Sequence, residues 1–332
     1  MKCLVTGANG FLGSWLCRSL VLHGYQVRAL VRKNSSLDEL EGVACEYAYG
    51  DVTDLESLRS ALQGRDVVFH LAGVVAYRKK DRPKMQAVNV DGTANLLKAL
   101  ATHSGSVPSL LHVSSVVAVG AGFSADQILD ENSPYNVGPF DLGYFETKHQ
   151  AEILVQKYAS QNLGPAVIVN PSTIYGRGDA KKGSRHTQLK VAQGHFPFYT
   201  PGGVNVVAVE DVVRGILLAH QKGKQGQRYI LSGENMTIHQ LFQIIAKCAG
   251  VPSPKIPLPK AALYTLGAIG DLMDQCGLKG PLSLENARVA CMYHWFRNFK
   301  AESELGFTAS PAIQAIEASV SWMKDHGCLD RS

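Results

Sequence analysis

Long apolar runs, paired cysteines, clustered histidines and blocks of like charge are scarce or missing in this chain of 332 residues. No apolar stretch reaches ~18 residues free of charge, so no transmembrane helix is expected. The seven cysteines (Cys3, Cys17, Cys45, Cys248, Cys276, Cys291 and Cys328) are dispersed, and none forms a CxxC. That excludes a disulfide framework or a zinc site of usual spacing; they read as buried thiols in a reducing compartment. His70, His103, His112, His186 and His195 are scattered and make no HxxxH or Cys/His cluster, so no metal is expected. Charged residues are 18% of the chain, the net charge is +5, and the densest basic runs are Arg78–Lys80 and Lys181–Lys182. Runs this short argue against nucleic acid as a partner. A glycine motif begins by residue 7, which leaves no room for a signal-peptide apolar region, and a cytoplasmic protein is expected.

What is present is a chain 45% hydrophobic, long enough for one large domain or two sharing a core. Its first half alternates two periods. Strand-like runs at 2–7, 26–32, 44–50, 66–73, 109–119 and 166–176 are separated by helical periodicity at 11–25, 55–64, 85–103 and 144–162. That alternation predicts a parallel sheet with right-handed crossovers and helices on both faces. After residue 176 the pattern loosens into a loop-like stretch at 176–186 and prolines at 252, 254, 257 and 259. Helical periods at 237–250 and 284–296 suggest a smaller helical part. The unusually apolar stretch 260–278 reads as a core helix or as the wall of an apolar pocket. The fold class expected is α/β: a Rossmann-type doubly wound parallel sheet with a smaller, mostly helical C-terminal substrate domain. Residues 1–171 form the dinucleotide-binding part, with 204–232 returning to it, and 172–203 and 233–332 form the substrate part.

"TGANGFLG" (6–13) follows the first strand and opens the first helix. Gly7 permits a tight turn, Gly10 lets a pyrophosphate approach the backbone, and Gly13 allows helix to pack closely on strand. Thr6, Asn9, Phe11 and Leu12 belong to the same loop. An NAD site usually places an acid at the end of the second strand, but this strand ends with Arg32 and Lys33. A guanidinium there suits a 2′-phosphate and offers ribose hydroxyls no acceptor. NADP(H) is therefore favoured over NAD(H); a surface basic pair is the plainer alternative. Ser35 and Ser36 add hydroxyl donors.

These residues resemble the extended short-chain dehydrogenase/reductase family, nearest the dihydroflavonol 4-reductase and 3β-hydroxysteroid dehydrogenase branch. The likeness is carried by TGxxGxxG at 6–13, "GDVTD" at 50–54, "HLAG" at 70–73, "NVDGT" at 89–93, "VSS" at 113–115, YxxxK at 144–148 and "NPSTIYG" at 170–176. The resemblance implies that Asp51 and Val52 contact the adenine and that Leu71, Ala72 and Gly73 lie along the dinucleotide. It places Asn170, Pro171 and Ser172 near the nicotinamide and gives Asn89 an organising role. From the residues alone, Asp51 reads equally as a helix N-terminal acid and Asn89 as a satisfied mid-helix amide. A homodimer built from helices flanking the sheet is also only what the resemblance implies.

Carbonyl reduction needs hydride on carbon and a proton on oxygen. Tyrosine can supply the proton, but lowering its pKa by ~3 for base chemistry takes ~4 kcal/mol of phenolate stabilisation. Lys148, one helical turn from Tyr144, can supply part of that field and bind the nicotinamide ribose. Ser115 ends the strand before this helix and can donate to the substrate oxygen; alternation points Ser114 to the other face. Glu146, His149, Gln150 and Glu152 are expected to face solvent.

The leading expectation is an NADP-dependent oxidoreductase interconverting a ketone or aldehyde and an alcohol on a fairly apolar small molecule. The alternative is a nucleotide-sugar epimerase or dehydratase with tightly bound NAD, for which Arg177, Arg185 and Arg214 would be the diphosphate contacts. A non-catalytic dinucleotide-binding protein is least favoured, because both Tyr144 and Lys148 are intact. Phe198, Tyr199, Tyr175 and Met292 read equally as substrate contacts and as core residues.

Overall fold

Six short apolar runs of the first half, joined by a seventh from residues 228–231, line up as one parallel sheet in a computed structural model of the chain. Residues 1–181, 185–278 and 280–329 are described; Lys182 of the short basic run and residues 182–184 of the 176–186 loop lie outside them. The strands are β1 (Lys2–Thr6), β2 (Gln26–Val31), β3 (Glu46–Tyr49), β4 (Val67–His70), β5 (Ser109–Val113), β6 (Ala166–Pro171), β7 (Thr173–Tyr175), β8 (Phe198–Tyr199), β9 (Gly203–Ala208), β10 (Arg228–Leu231), β11 (Glu234–Thr237) and β12 (Ile256–Pro257). The main sheet runs β10-β6-β5-β4-β1-β2-β3 with every pair parallel. Its inner strands β1, β4, β5 and β6 are buried on both faces, as a sheet covered on both sides requires. The order reverses between β1 and β4, the position where open α/β sheets bind ligands beyond their strand ends. This is a Rossmann-like α/β fold.

The helices are α1 (Phe11–Leu22), α2 (Leu55–Leu62), α3 (Arg82–Met85), α4 (Gly92–Ala101), α5 (Gly143–Ser160), α6 (His186–Ala192), α7 (Val209–Lys222), α8 (Ile238–Ala249), α9 (Lys260–Gln275), α10 (Leu284–Val289) and α11 (Ala312–Asp325). Leu16, Leu20 and Ile216, from α1 and α7, pack on one sheet face. Leu58, Leu96, Leu100 and Val155, from α2, α4 and α5, cover the other. A separate core lies off the sheet, where Leu241, Ile245, Ile316 and Val320 close over β9 and Tyr175. There β9 pairs with β7 and β11 and stands apart from the main sheet. The sequence begins α8 at Thr237: its side chain and that of Gln240 cap each other's backbone, and Gly250 at φ +76° ends the helix.

Three expectations change. The helix expected at 85–103 starts at Arg82 and contains a π-helical turn at Gln86–Asp91, which puts Asn89 on the inner face. The helix expected at 284–296 ends at Val289. Beyond it, Tyr293 exchanges backbone hydrogen bonds with Gly122, and Phe296 bridges Leu129, so tertiary pairing overrides the apolar periodicity. Cys3, Cys17 and Cys291 are buried as expected, but Cys276 is exposed.

Candidate active site

Gly7 sits at φ +67°, and a Cβ there would come 2.8 Å from the Ala72 amide nitrogen. A Cβ on Gly13 would fall 2.1 Å from the Gly7 carbonyl oxygen. The turn and the close packing therefore both demand glycine. Gly10 begins α1 without a side-chain cap, leaving the first amides of the helix facing the loop. Thr6 is buried beneath; its Oγ1 accepts from the Leu71 and Ala72 amides at 3.2 and 3.1 Å and lies 2.7 Å from His70 Nδ1. It ties the ends of β1 and β4 together.

Two cavities meet over this loop, sharing Gly7, Gly10, Leu71 and Gly73. One, of about 360 Å³, adds Asn9, Arg32, Asp51, Val52 and Ala72. The other, of about 510 Å³, adds Phe11, Leu12 and Gly13 and continues to Ser115, Tyr144, Lys148, Pro171 and Ser172. A cradle that a Cβ would fill, joined to an elongated two-part cleft, fits a dinucleotide. Three residues expected in that set do not line either cavity: Thr6 is underneath, Lys33 points to solvent, and Asn170 is fully buried. Asp51 does not cap α2, a role taken by Asp54; its Oδ1 accepts from Thr53 instead.

Ser115, at the end of β5, and Tyr144 and Lys148, on the first turns of α5, meet at the larger cleft. The Ser115 hydroxyl lies beside the Tyr144 phenol and draws its pKa down, while burial pushes it up to about 12. Tyr144 is therefore a protonated donor at neutral pH. Burial lowers Lys148 to about 8, with the Glu152 carboxylate working against that shift. Its Nζ donates to the Val113 carbonyl at 3.1 Å, fixing it at the strand end. Ser114 also reaches the cleft wall, contrary to simple alternation, and its hydroxyl is buried without a hydrogen-bond partner among the described residues.

Glu152 does not face solvent as expected; it is 1% exposed. It accepts from Asn170 Nδ2 at 2.6 Å and from Arg228 Nη1 at 3.1 Å, and the same Asn170 amide donates to the Ser115 carbonyl at 3.0 Å. One buried carboxylate thus joins the backbone of Ser115 to the helix that carries Tyr144 and Lys148. The clue was its position four residues after Lys148, on the same helix face. The Asn89 side chain is fully engaged: its Oδ1 accepts from the Val74 amide, and its Nδ2 donates to the Val74 carbonyl and to Thr147 Oγ1 at 3.1 Å, joining the 74 loop to α5.

The expected substrate contacts fall elsewhere. Tyr175, Phe198, Tyr199 and Met292 do not line the cleft; Tyr175 and Met292 belong to apolar cores, and Tyr199 stacks on His239. Its walls include Val117, Phe145, Val204 and Val289, with Tyr77 edge-on to Tyr144. The arginines are largely engaged: Arg214 with Asp211, Arg177 with Asp325, and the cleft-lining Arg185 with buried Asp179. Among the described residues no cluster of metal-ligating side chains occurs, and no helix is long and apolar enough to cross a membrane.

The profile of the NAD dependent epimerase/dehydratase family matches residues 3–232. The chain belongs to this family. It is similar to sterol demethylase protein B of Methylococcus capsulatus, 33% identical over 99% of this chain and 100% of that protein. A putative dihydroflavonol 4-reductase of Synechocystis is 33% identical over 97% of this chain and 94% of its own. The crystal structure of gox2253 superposes with a TM-score of 0.87 at 34% identity, covering 99% of both chains. Family and relatives make this protein an NAD(P)-dependent dehydrogenase or reductase.

Proposed function

We propose that the protein reduces a ketone or aldehyde on a fairly apolar small molecule, using NADPH, with Ser115, Tyr144 and Lys148 as its catalytic residues. The observation that carries this reading is their convergence on one cleft wall beside a glycine cradle shaped for a dinucleotide. A dinucleotide bound there would supply the hydride. Tyr144, held protonated, gives its proton to the developing alkoxide, and the Ser115 hydroxyl donates to the same oxygen. Lys148 stabilises the tyrosinate left behind and binds the nicotinamide ribose. Glu152 and Asn170 are positioning residues that hold the two elements in register.

Arg32 is exposed at the rim of the smaller cavity, with no ion pair to it among the described residues, which supports a 2′-phosphate there. The apolar cleft wall and the acid-paired arginines support an apolar substrate over a nucleotide diphosphate. The residues after 232, with 172–203, are the proposed substrate-binding part. The test is a panel of ketones graded in polarity, each with NADPH and NADH. Turnover of apolar ketones with NADPH is expected; purification with stoichiometric NAD and turnover of a nucleotide sugar would refute it.

A further inference from the structure

The hairpin of α9 and α10 buries Leu263, Gly267 and Gly270 and leaves most of the large residues of α9 outside. Gly267 and Gly270 face α10, where added Cβ atoms would fall 2.7 Å from Leu284 Cα and 1.8 Å from Leu282 O. Leu266, Ile269 and Leu272 face away and are 42%, 48% and 62% exposed. Tyr264 of the same helix, Leu278 just past it and Ile256 before it in the chain are exposed as well. A helix whose outer face met only water would carry the reverse pattern. Its two carboxylates turn inward: Asp271 accepts from the Leu284 amide, and Asp274 pairs with Arg78 and accepts from Gly280. The outward face therefore holds no charge between Ala261 and Leu278. Cations rim it instead, with exposed Lys255 and Lys260 at one end and exposed Lys80, close enough to act on Asp274, at the other.

We propose that this face docks the protein on an anionic lipid surface, with α9 lying in the plane of the headgroups. An apolar helix face rimmed by lysines suits an acyl boundary beneath phosphate headgroups. At 16 residues, α9 is shorter than the ~20 needed to span a bilayer. A second copy of the chain fits the charge less well, since both ends of the helix are cationic and either pairing direction sets lysines against lysines. The other side of the hairpin borders the larger cleft through Val289 of α10 and through Tyr77, whose carbonyl accepts from Ser283. Docking would thus hold the cleft wall against the phase where apolar molecules collect. The docking argument rests on the surface alone and is independent of the substrate reading.

The test is flotation with vesicles of phosphatidylcholine, with or without phosphatidylglycerol. The protein is expected to float with the anionic vesicles, to be released by salt, and to stay free of phosphatidylcholine alone. The triple variant Leu266→Glu, Ile269→Glu, Leu272→Glu should bind about tenfold or more weakly, with unchanged melting temperature and NADPH affinity. The pair Lys255→Glu, Lys260→Glu should also weaken binding. No flotation of the wild type, equal flotation with both vesicles, or undiminished binding by the triple variant would each overturn the proposal. So would a lipid-free dimer in analytical ultracentrifugation that the triple variant abolishes, because that assigns the face to a second copy.

Discussion

Glycine does two different jobs at the two ends of this chain. At both ends the missing side chains let backbone approach backbone: Cβ atoms on Gly7 and Gly13 would meet the Ala72 amide nitrogen and the Gly7 carbonyl oxygen, and Cβ atoms on Gly267 and Gly270 would meet Leu284 Cα and the Leu282 carbonyl oxygen. Gly7, Gly10 and Gly13 also line the larger cleft, so their close packing shapes a ligand site. Gly267 and Gly270 do not line it, and their packing leaves Leu266, Ile269 and Leu272 on the outside. Similar spacing therefore borders a cleft in one place and backs an outward-facing apolar surface in the other.

Substitutions at the two ends should consequently fail in different ways. The largest effect is expected in the cradle: Gly13→Ala, which drives a Cβ into the Gly7 carbonyl, should abolish NADPH binding in a fluorescence titration. Gly270→Ala meets an even closer carbonyl, that of Leu282, yet should leave dinucleotide affinity intact while destabilising the fold by about 2 kcal/mol in thermal melts. Loss of cofactor binding in the second variant would erase the distinction. A smaller change is expected at the adenosine end, where Arg32→Ser should weaken NADPH about tenfold and leave NADH unaffected, by the loss of a charge-assisted bond.

How much of this was legible depends on the range of the information. The glycine trio and the Tyr144–Lys148 pair are short-range patterns, readable because one helical turn and one loop fix their geometry. Glu152 was misread as a solvent residue, since its partners Asn170 and Arg228 come from two strands distant in sequence. The stretch 260–278 was read as core or pocket wall because apolar residues usually face inward. Leu263 does pack in a core with Ala287 and Cys291, but Gly267 and Gly270 occupy the rest of that side, and none of the stretch lines the cleft. The end of α10 was missed because Tyr293 bonds to Gly122, and Trp295 and Arg297 bond to Leu129, which no local period reveals.

Titration separates the site from the core beneath it. Lys148, lowered to about 8, loses its ammonium as pH rises through that value, so kcat/KM for reduction should fall above about pH 8. His112 and His70, kept neutral by burial, act on stability instead. The unfolded chain takes up their protons below 6.5 and the folded protein does not, so stability is lost as pH falls from 6.5 toward about 3, the value of His70. Neither nitrogen of His112 has a hydrogen-bond partner among the described residues, so the smallest effect at neutral pH is expected for His112→Leu, with a shallower decline of Tm in acid than the wild type. An unchanged decline would show that His112 is not one of its sources.

The most direct measurement is NADPH oxidation by Tyr144→Phe beside the wild type, with one turned-over ketone and a parallel NADPH titration. The variant keeps the ring and loses only the proton-donating hydroxyl, so turnover should drop about a thousandfold while NADPH affinity holds. Wild-type turnover in that variant, with the cofactor bound as before, would contradict the assignment of Tyr144 as the proton donor.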